Sequence, residues 1–168
     1  MRRHGLLLTL TRPPAGMEDE FNAWYDTEHL PERLSIRGFR SARRWISGKT
    51  YLATYELDSP AVLSSRQYLS FFRHPTPWTK RCLGSLALFK RWACEQLEPG
   101  GAGTHSGARA VVLVVSRAPV KLQVRNALRI RRFAARSGAH IALIDLARAD
   151  KRGLAAIRAP LVQLFRAY

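Results

Sequence analysis

Glu28 and His29 are the two side chains whose type and position best suit acid–base chemistry. Both lie in a helix predicted over residues 18–29, at about 100° of rotation per residue, beside an arc of aromatic side chains. The arc consists of Phe21, Trp24 and Tyr25. A carboxylate buried among aromatic rings without a partner is costly, so Glu28 either pairs with an arginine of a neighbouring strand or lines a cavity.

His29 is expected at the end of this helix, because Pro31 disfavours helical geometry at Leu30 and should bend or stop the helix there. The carbonyl dipoles at a helix C-terminus favour an imidazolium, and Glu28 and Glu32 are near enough to raise the pKa of His29. We therefore predict a pKa in the range that suits proton transfer. The alternative is a structural histidine that caps or hydrogen-bonds the bend.

Two strands predicted at 38–47 and 49–58 could hold a pocket against this helix. Arg43 and Trp45 share one side of the first strand, and Tyr55 lies on a side of the second with other apolar residues. This mixture of aromatic, basic and acid–base groups would suit an aromatic or anionic small molecule. Because no second histidine follows His29 at helical spacing, we predict no metal site.

The elements that would position these residues form a β-α-β-β-α-β unit over residues 1–98. The predicted strands are 5–12, 38–47, 49–58 and 86–94, and the predicted helices are 18–29 and 59–74. Two β-α-β halves in one unit are typical of a ferredoxin-like fold.

A glycine-rich linker at 99–108 separates this unit from a shorter second part, residues 109–168. Residues 112–119 align with residues 7–14, each with a basic residue followed, one or two positions later, by proline. The elements predicted next are a helix at 120–136, a strand at 139–146 and a helix at 153–166. We interpret the second part as a degenerate partial repeat with the order β-α-β-α.

The chain is strongly basic, with 28 Lys and Arg against 12 Asp and Glu and a net charge of +16. Most of the excess falls in the second part, so nucleic acid or another anionic partner is a candidate. On the predicted helix, one basic stripe would contain Arg125, Arg129, Arg132 and Arg136. The stripe could follow phosphates, be solvated, or dock on acids of the first unit or of a second subunit.

Residues 24–34 (Trp-Tyr-Asp-Thr-Glu-His-Leu-Pro-Glu-Arg-Leu) and residues 38–45 (Gly-Phe-Arg-Ser-Ala-Arg-Arg-Trp) resemble the EthD-like branch of the dimeric α/β-barrel superfamily. Members commonly carry W-Y-x-x-E-H-x-P-E/D and then G-F-x-x-A-x-R. The resemblance covers about residues 5–97. It implies an α+β fold, in which a ferredoxin-like sheet pairs with a second sheet into a barrel around a cavity. It also marks His29 as functional, with Tyr25, Glu28 and Arg43 lining the site.

The resemblance implies a small-molecule-binding protein or a cofactor-free enzyme (a lyase, isomerase, cyclase or oxygenase) acting on a hydrophobic or aromatic substrate. His29 is expected to act as the acid–base group. Glu28 is expected either to tune the pKa of His29 or to pair with an arginine. Pocket contacts are expected from Trp24, Tyr25, Arg43 and Tyr55. The alternative is a non-catalytic basic binding or structural protein that uses the arginine stripe.

The barrel would form in a homodimer, unless the C-terminal part closes it within one chain. No apolar run is long enough to span a membrane, and two cysteines do not make a disulfide framework. The apolar run near the start is too short for a secretion signal, so we expect a cytoplasmic protein. We also expect the protein to use no cofactor and no metal.

Overall fold

The computed structural model describes residues 3–168 as an α+β fold built on a closed barrel of eight antiparallel strands. The strands are β1 (Gly5–Arg12), β2 (Phe39–Ser47), β3 (Thr50–Leu57), β4 (Leu88–Glu98), β5 (Ala110–Ser116), β6 (Ala127–Ala135), β7 (His140–Leu146) and β8 (Leu161–Ala167). The helices are α1 (Glu18–Trp24), α2 (Leu30–Ser35), α3 (Arg66–Arg73) and α4 (Pro77–Gly84). Around the barrel the strands follow the order β1-β3-β2-β8-β5-β7-β6-β4.

Each half of the chain contributes four neighbouring strands to this barrel. The halves meet at two seams, where β2 pairs with β8 and β4 pairs with β6. The first seam is short, since only Trp45 and Ile46 of β2 are paired with β8. The C-terminal part therefore closes the barrel within one chain, which is one of the two arrangements that the sequence left open.

Apolar side chains from both halves fill the inside of the barrel. Leu6, Leu8 and Leu10 of β1 belong to this core because alternate residues of a strand share a face. Phe133 and Phe165 pack in the same core from the second half. The resemblance implied a cavity enclosed by the barrel, but side chains fill this space. The cavity described below instead lies outside the barrel, against the opposite face of β1.

One buried ionic cluster interrupts the apolar core and joins the two halves. Arg131 of β6 is 0% exposed; it donates to Glu56 of β3 at 2.6 Å and lies 3.7 Å from Asp145 of β7. Burial raises the pKa of Asp145, although Arg131 and the backbone N–H of His105 partly offset it. Thr104 accepts a hydrogen bond from Arg131 and donates one to Glu56.

The linker predicted at 99–108 packs on the barrel as part of this cluster, because Thr104 and His105 contact it. Gln96 of β4 also holds the linker, donating to the carbonyls of Pro99 and Ala102. None of the helices within residues 3–168 has the length and apolar character needed to cross a membrane.

The outer faces of the two halves are covered differently. Helices pack on the first half, where Phe21, Trp24 and Tyr68 meet the sheet in a second core. Residues of a loop and of a short 3₁₀ turn, such as Val120 and Leu154, cover the outer face of the second half. A helical layer, and with it a helix-bounded cavity, is therefore present on the first half.

The helix that carries Glu28 and His29 continues past Pro31, contrary to the expected bend or stop at Leu30. A π-helical turn at Tyr25–His29 joins α1 to α2, and the Leu30 N–H donates to the Tyr25 carbonyl. Pro31 has no N–H for the normal helical bond, and the wider turn before it accommodates this loss. The segment 18–35 is thus one helical unit.

The two helices predicted in the second part are wrong. Residues 127–135 form strand β6, and the end of the chain forms β8 after a single 3₁₀ turn at Leu154–Ala156. Arginine, alanine and leucine favour helices, but pairing with β4 and β7 overrides that preference at β6. At the C-terminus, Pro160 breaks the predicted helix and an apolar run pairs with β5.

The basic stripe is lost together with the helix at 120–136. Arg129 and Arg132 lie three residues apart on β6, so they lie on opposite faces of the strand. Arg129 donates to the Gly103 carbonyl and Arg132 to the Val120 carbonyl. Arg125 and Arg136 are exposed just before and after the strand. The four arginines do not form one surface for phosphates.

Candidate functional site

A cavity lies between the helical segment 18–35, helices α3 and α4, and the outer face of the first-half sheet. Thr9 of β1 and Tyr55 of β3 form its floor on the sheet side. Its aromatic walls include Phe21, Trp24, Tyr25 and Tyr68, and its polar lining includes His29, Arg33 and Arg91. The structure thus brings four of the six predicted site residues, Trp24, Tyr25, His29 and Tyr55, into one cavity.

His29 is buried in this cavity, with 8% of its surface exposed. Its ring centroid lies 4.5 Å from that of Trp24 and 4.9 Å from that of Tyr25. The Nδ1 atom is buried without a hydrogen-bond partner. Burial, and then the nearby Arg33 and Arg44 cations, lower the pKa of His29 to about 3.

This direction corrects the expectation of a raised pKa. His29 is not at a helix end, because the helix continues, and the charges that reach it in space are arginines rather than Glu28 and Glu32. At neutral pH the imidazole is therefore neutral, with one ring nitrogen able to accept a proton or a hydrogen bond.

Two tyrosine hydroxyls meet beside His29. The Tyr25 and Tyr55 oxygens lie 2.8 Å apart, and Thr9 Oγ1 lies 3.4 Å from the Tyr25 oxygen. Burial raises the pKa of Tyr25 despite its hydrogen bonds, and raises that of Tyr55 further. Both phenols are therefore neutral, and the pair can donate one hydrogen bond to a ligand oxygen.

Glu28 faces away from His29, toward the start of α4. Thr79 donates to its carboxylate at 2.8 Å and Thr76 donates to the same oxygen, while Trp24 Nε1 donates to Thr79 at 3.1 Å. Burial alone would raise the pKa of Glu28, but the hydroxyl donors outweigh it and the pKa is lowered. Glu28 joins α4 to the helix that carries His29. Within residues 3–168 it forms no salt bridge with a strand arginine and does not line this cavity, so neither expectation for it holds.

Arg43 does not reach the cavity. It is exposed on the opposite side of β2 from Arg44, because successive strand residues alternate. Arg44 takes the place expected for Arg43: it is buried, donates to Asp26 at 2.8 Å, and lies 4.3 Å from the centre of the Tyr25 ring. Arg44 packs against the Tyr25 ring but does not line the cavity.

Arg33, Tyr68 and Arg91 are cavity residues that sequence reasoning missed. Arg33 belongs to α2, one turn beyond His29, and is 5% exposed. Arg91 of β4 donates to the Tyr68 hydroxyl at 2.9 Å. The spacing of four between Tyr25, His29 and Arg33 is a signal that would have found Arg33 if the helix had been predicted to continue.

The cavity has a volume of about 50 Å³, enough for a few water molecules. Known pockets for drug-sized ligands are on the order of 300 Å³ or larger, so a substrate requires side chains to move. Phe72 and Phe89, each 53% exposed, and Leu83 line its solvent side. These three side chains have room to turn outward and widen the opening.

A larger cavity of about 150 Å³ lies between Val120, the end of β4 and strands β5, β6 and β7. Its lining includes Arg132 and His140, but Arg132 is satisfied by the Val120 carbonyl and by Glu98 at 3.6 Å. None of the unpaired buried polar atoms within residues 3–168 lines it, whereas His29 and Arg33 of the first cavity both have one. We therefore assign the candidate site to the cavity at His29.

No protein-family model matches the chain, and no curated protein matches it. Solved structures with a similar fold include the following two. An anthrone oxidase-like protein superposes with a TM-score of 0.62 at 12% identity, over 99% of this chain and 92% of the other. A protein from Fusobacterium nucleatum subsp. nucleatum named "putative monooxygenase" superposes with a TM-score of 0.58 at 7% identity, over 99% and 92%.

At this level of identity the likeness is one of fold. It extends over almost the whole length of both chains, so the eight-stranded barrel belongs to a recurring architecture.

Proposed function

We propose that this chain is an EthD-like protein of the dimeric α/β-barrel superfamily and a cofactor-independent oxygenase that acts on a small aromatic substrate. The observation that carries the proposal is the neutral, buried His29 with an unpartnered ring nitrogen beside the Tyr25–Tyr55 hydroxyl pair. The strand and helix order of residues 5–98 supports a ferredoxin-like unit. The names of the two structural neighbours favour oxygenase chemistry over the lyase and isomerase alternatives.

The proton-transfer step follows from the cavity. A phenolic substrate with an acidic C–H bond would place that bond at the His29 imidazole and a ring oxygen at the Tyr25–Tyr55 pair. The imidazole accepts the proton, and the hydroxyl pair stabilises the negative charge that develops on the substrate oxygen. Burial is the main cause of the lowered pKa of His29, and Arg33 and Arg44 add to it. Negative charge on the substrate oxygen offsets the contribution of these two arginines, so the imidazole becomes a stronger base as the proton leaves.

The substrate anion then supplies the electrons that reduce dioxygen. For a CH₂ group between aromatic rings, the balanced change is CH₂ + O₂ → C=O + H₂O. One oxygen atom enters the substrate and the other leaves as water. The surrounding aromatic walls exclude bulk water from the anion during this step.

Oxygen uptake with 1,8-dihydroxyanthrone as a probe tests the proposal. We expect the wild-type protein to consume oxygen faster than the buffer blank and to form the corresponding quinone. His29→Ala should lower the protein-dependent rate by about 100-fold or more, as expected for loss of a general base. His74→Ala is the matched control, because His74 is exposed and does not line the cavity.

Equal rates for His29→Ala and the wild type would contradict the proposed role of His29. Absence of protein-dependent oxygen uptake with this probe and with other phenolic anthrones, including ones that carry a carboxylate, would contradict the oxygenase assignment. Thermal unfolding of each variant shows whether a lower rate reflects chemistry or lost structure.

A further inference from the structure

The guanidinium of Arg33 is a buried cation without a counter-ion. Its Cζ atom lies 5.5 Å from the ring centres of Tyr68 and Phe71 and 5.6 Å from that of Phe72, and Nη1 has no hydrogen-bond partner. Within residues 3–168, no carboxylate lies within 4.0 Å of it. Aromatic faces stabilise a cation in part, but they do not replace the hydrogen bonds it loses on burial.

The other buried arginines of the described chain are paired. Arg44 donates to Asp26 at 2.8 Å, and Arg131 donates to Glu56 at 2.6 Å. A buried arginine normally needs such a carboxylate, because an uncompensated charge in the interior is strongly destabilising. Arg33 departs from this pattern at the cavity, where a ligand could supply the missing carboxylate.

The lining of the cavity has the matching charge. It includes Arg33 and Arg91 and no aspartate or glutamate. Both arginines meet at Tyr68, since Arg33 lies over its ring and Arg91 donates to its hydroxyl. An anionic group beside Tyr68 would therefore lie near two cations, while the remainder of a ligand would contact aromatic rings.

We propose that the cavity binds an aromatic carboxylate, with the carboxylate group paired to Arg33 near Tyr68 and the ring directed toward His29. The planar guanidinium can donate two parallel hydrogen bonds to a carboxylate, which gives orientation as well as affinity. This inference rests on the proposed function only in taking the same cavity as the substrate site. It deepens that function by specifying a carboxylate on the substrate.

Isothermal titration with 2-naphthoate and its uncharged analogue 2-naphthamide tests the inference at constant ionic strength. The two probes share the ring system and differ in charge. We expect the wild-type protein to bind 2-naphthoate at least about tenfold more tightly than 2-naphthamide, because the charge-assisted hydrogen bond to Arg33 forms in a buried cavity, away from water. Phe72 and Phe89 must move to admit either probe, so the free-energy cost of moving them cancels when the two affinities are compared.

Arg33→Met should abolish the preference for 2-naphthoate, because methionine keeps the contact with the aromatic rings and removes the charge. Arg33→Lys should keep part of it. Arg37→Met is the matched control: Arg37 is exposed shortly after α2 and should leave the preference unchanged. Melting temperatures of all variants confirm that each one is folded.

Equal affinity of the wild type for both probes would overturn the inference, as would failure to bind either probe or a preference that survives Arg33→Met. Loss of the preference in Arg37→Met as well would show that only overall charge was measured, and would also overturn it. His29→Ala separates this result from the proposed function. If that variant keeps the preference while oxygen uptake is absent even in the wild type, the binding inference stands and the oxygenase proposal fails.

Discussion

Replacing Arg131 with methionine should strongly destabilise the barrel, because the change leaves two buried carboxylates without their cation. Asp145 and Arg131 are each 0% exposed and Glu56 is 9% exposed. Removing one partner of a buried ion pair costs about 3–5 kcal/mol in the free energy of unfolding. Methionine has a similar reach, so the cost reflects lost charge pairing more than an empty space.

Urea unfolding followed by tryptophan fluorescence at pH 7 measures this cost. The matched control is Arg132→Met on the same strand, since Arg132 is half-buried and pairs with an exposed Glu98 at 3.6 Å. Such a partly exposed pair contributes below about 1 kcal/mol. Similar unfolding free energies for the two variants would refute the reasoning.

The pH dependence of the free energy of unfolding provides a second test of Arg131→Met. Burial raises the pKa of Asp145, so the folded state binds its proton more tightly than the unfolded state does. Stability therefore falls as the pH rises above the ordinary value for aspartate, and removal of Arg131 makes this fall steeper. The difference between Arg131→Met and the wild type should shrink between pH 7 and pH 4.5. A constant difference would show that the carboxylates are not its source.

Two further predictions concern the cavity. The pKa of His29 is lowered to about 3, so its imidazole signals should not shift in an NMR titration from pH 8 to pH 5. In the unfolded state the His29 imidazole binds a proton near pH 6.5, whereas in the folded state it stays neutral down to about pH 3. Protonation of the unfolded state should therefore cost the wild type about 1 kcal/mol more stability than His29→Ala between pH 6 and pH 5. Equal losses would refute the burial of a neutral His29. Phe89→Ala should raise the association rate of 2-naphthoate severalfold in stopped-flow fluorescence, because the exposed Phe89 ring narrows the opening. An unchanged rate would show that the ring does not limit entry.

The sequence predicted the first half well because its strands have clear ends. β1 has the same bounds in the structure as in the prediction, and the ends of β2 and β3 differ from it by at most one residue. The exception is β4, which runs from Leu88 to Glu98, four residues past the end predicted at 94. Turn residues and proline separate these strands from helices, so local signals and tertiary contacts agree. At β6, by contrast, arginine and alanine favour a helix locally, and only its place between β4 and β7 makes it a strand.

The candidate site was predicted in part for a similar reason. Helical spacing placed Tyr25 and His29 on one face, which the structure retains. The spacing could not reveal the π-helical turn, so the helix was ended too early and Arg33 was missed. The sign of the pKa shift of His29 was also wrong. Sequence neighbours such as Glu32 suggested nearby negative charge, whereas in space the charges that act on His29 are positive.

The closure of the barrel within one chain has a consequence for its assembly. A barrel made from two separate chains comes apart on dilution, because its halves must find each other at the prevailing protein concentration. Here the linker tethers the halves, so their effective concentration is fixed by the chain and is typically millimolar or more. The helices that bound the cavity are supplied by the first half alone, and the second half acts as its permanently attached partner sheet. Each chain therefore carries one such cavity per barrel, and the barrel that supports it persists at any dilution at which the chain remains folded.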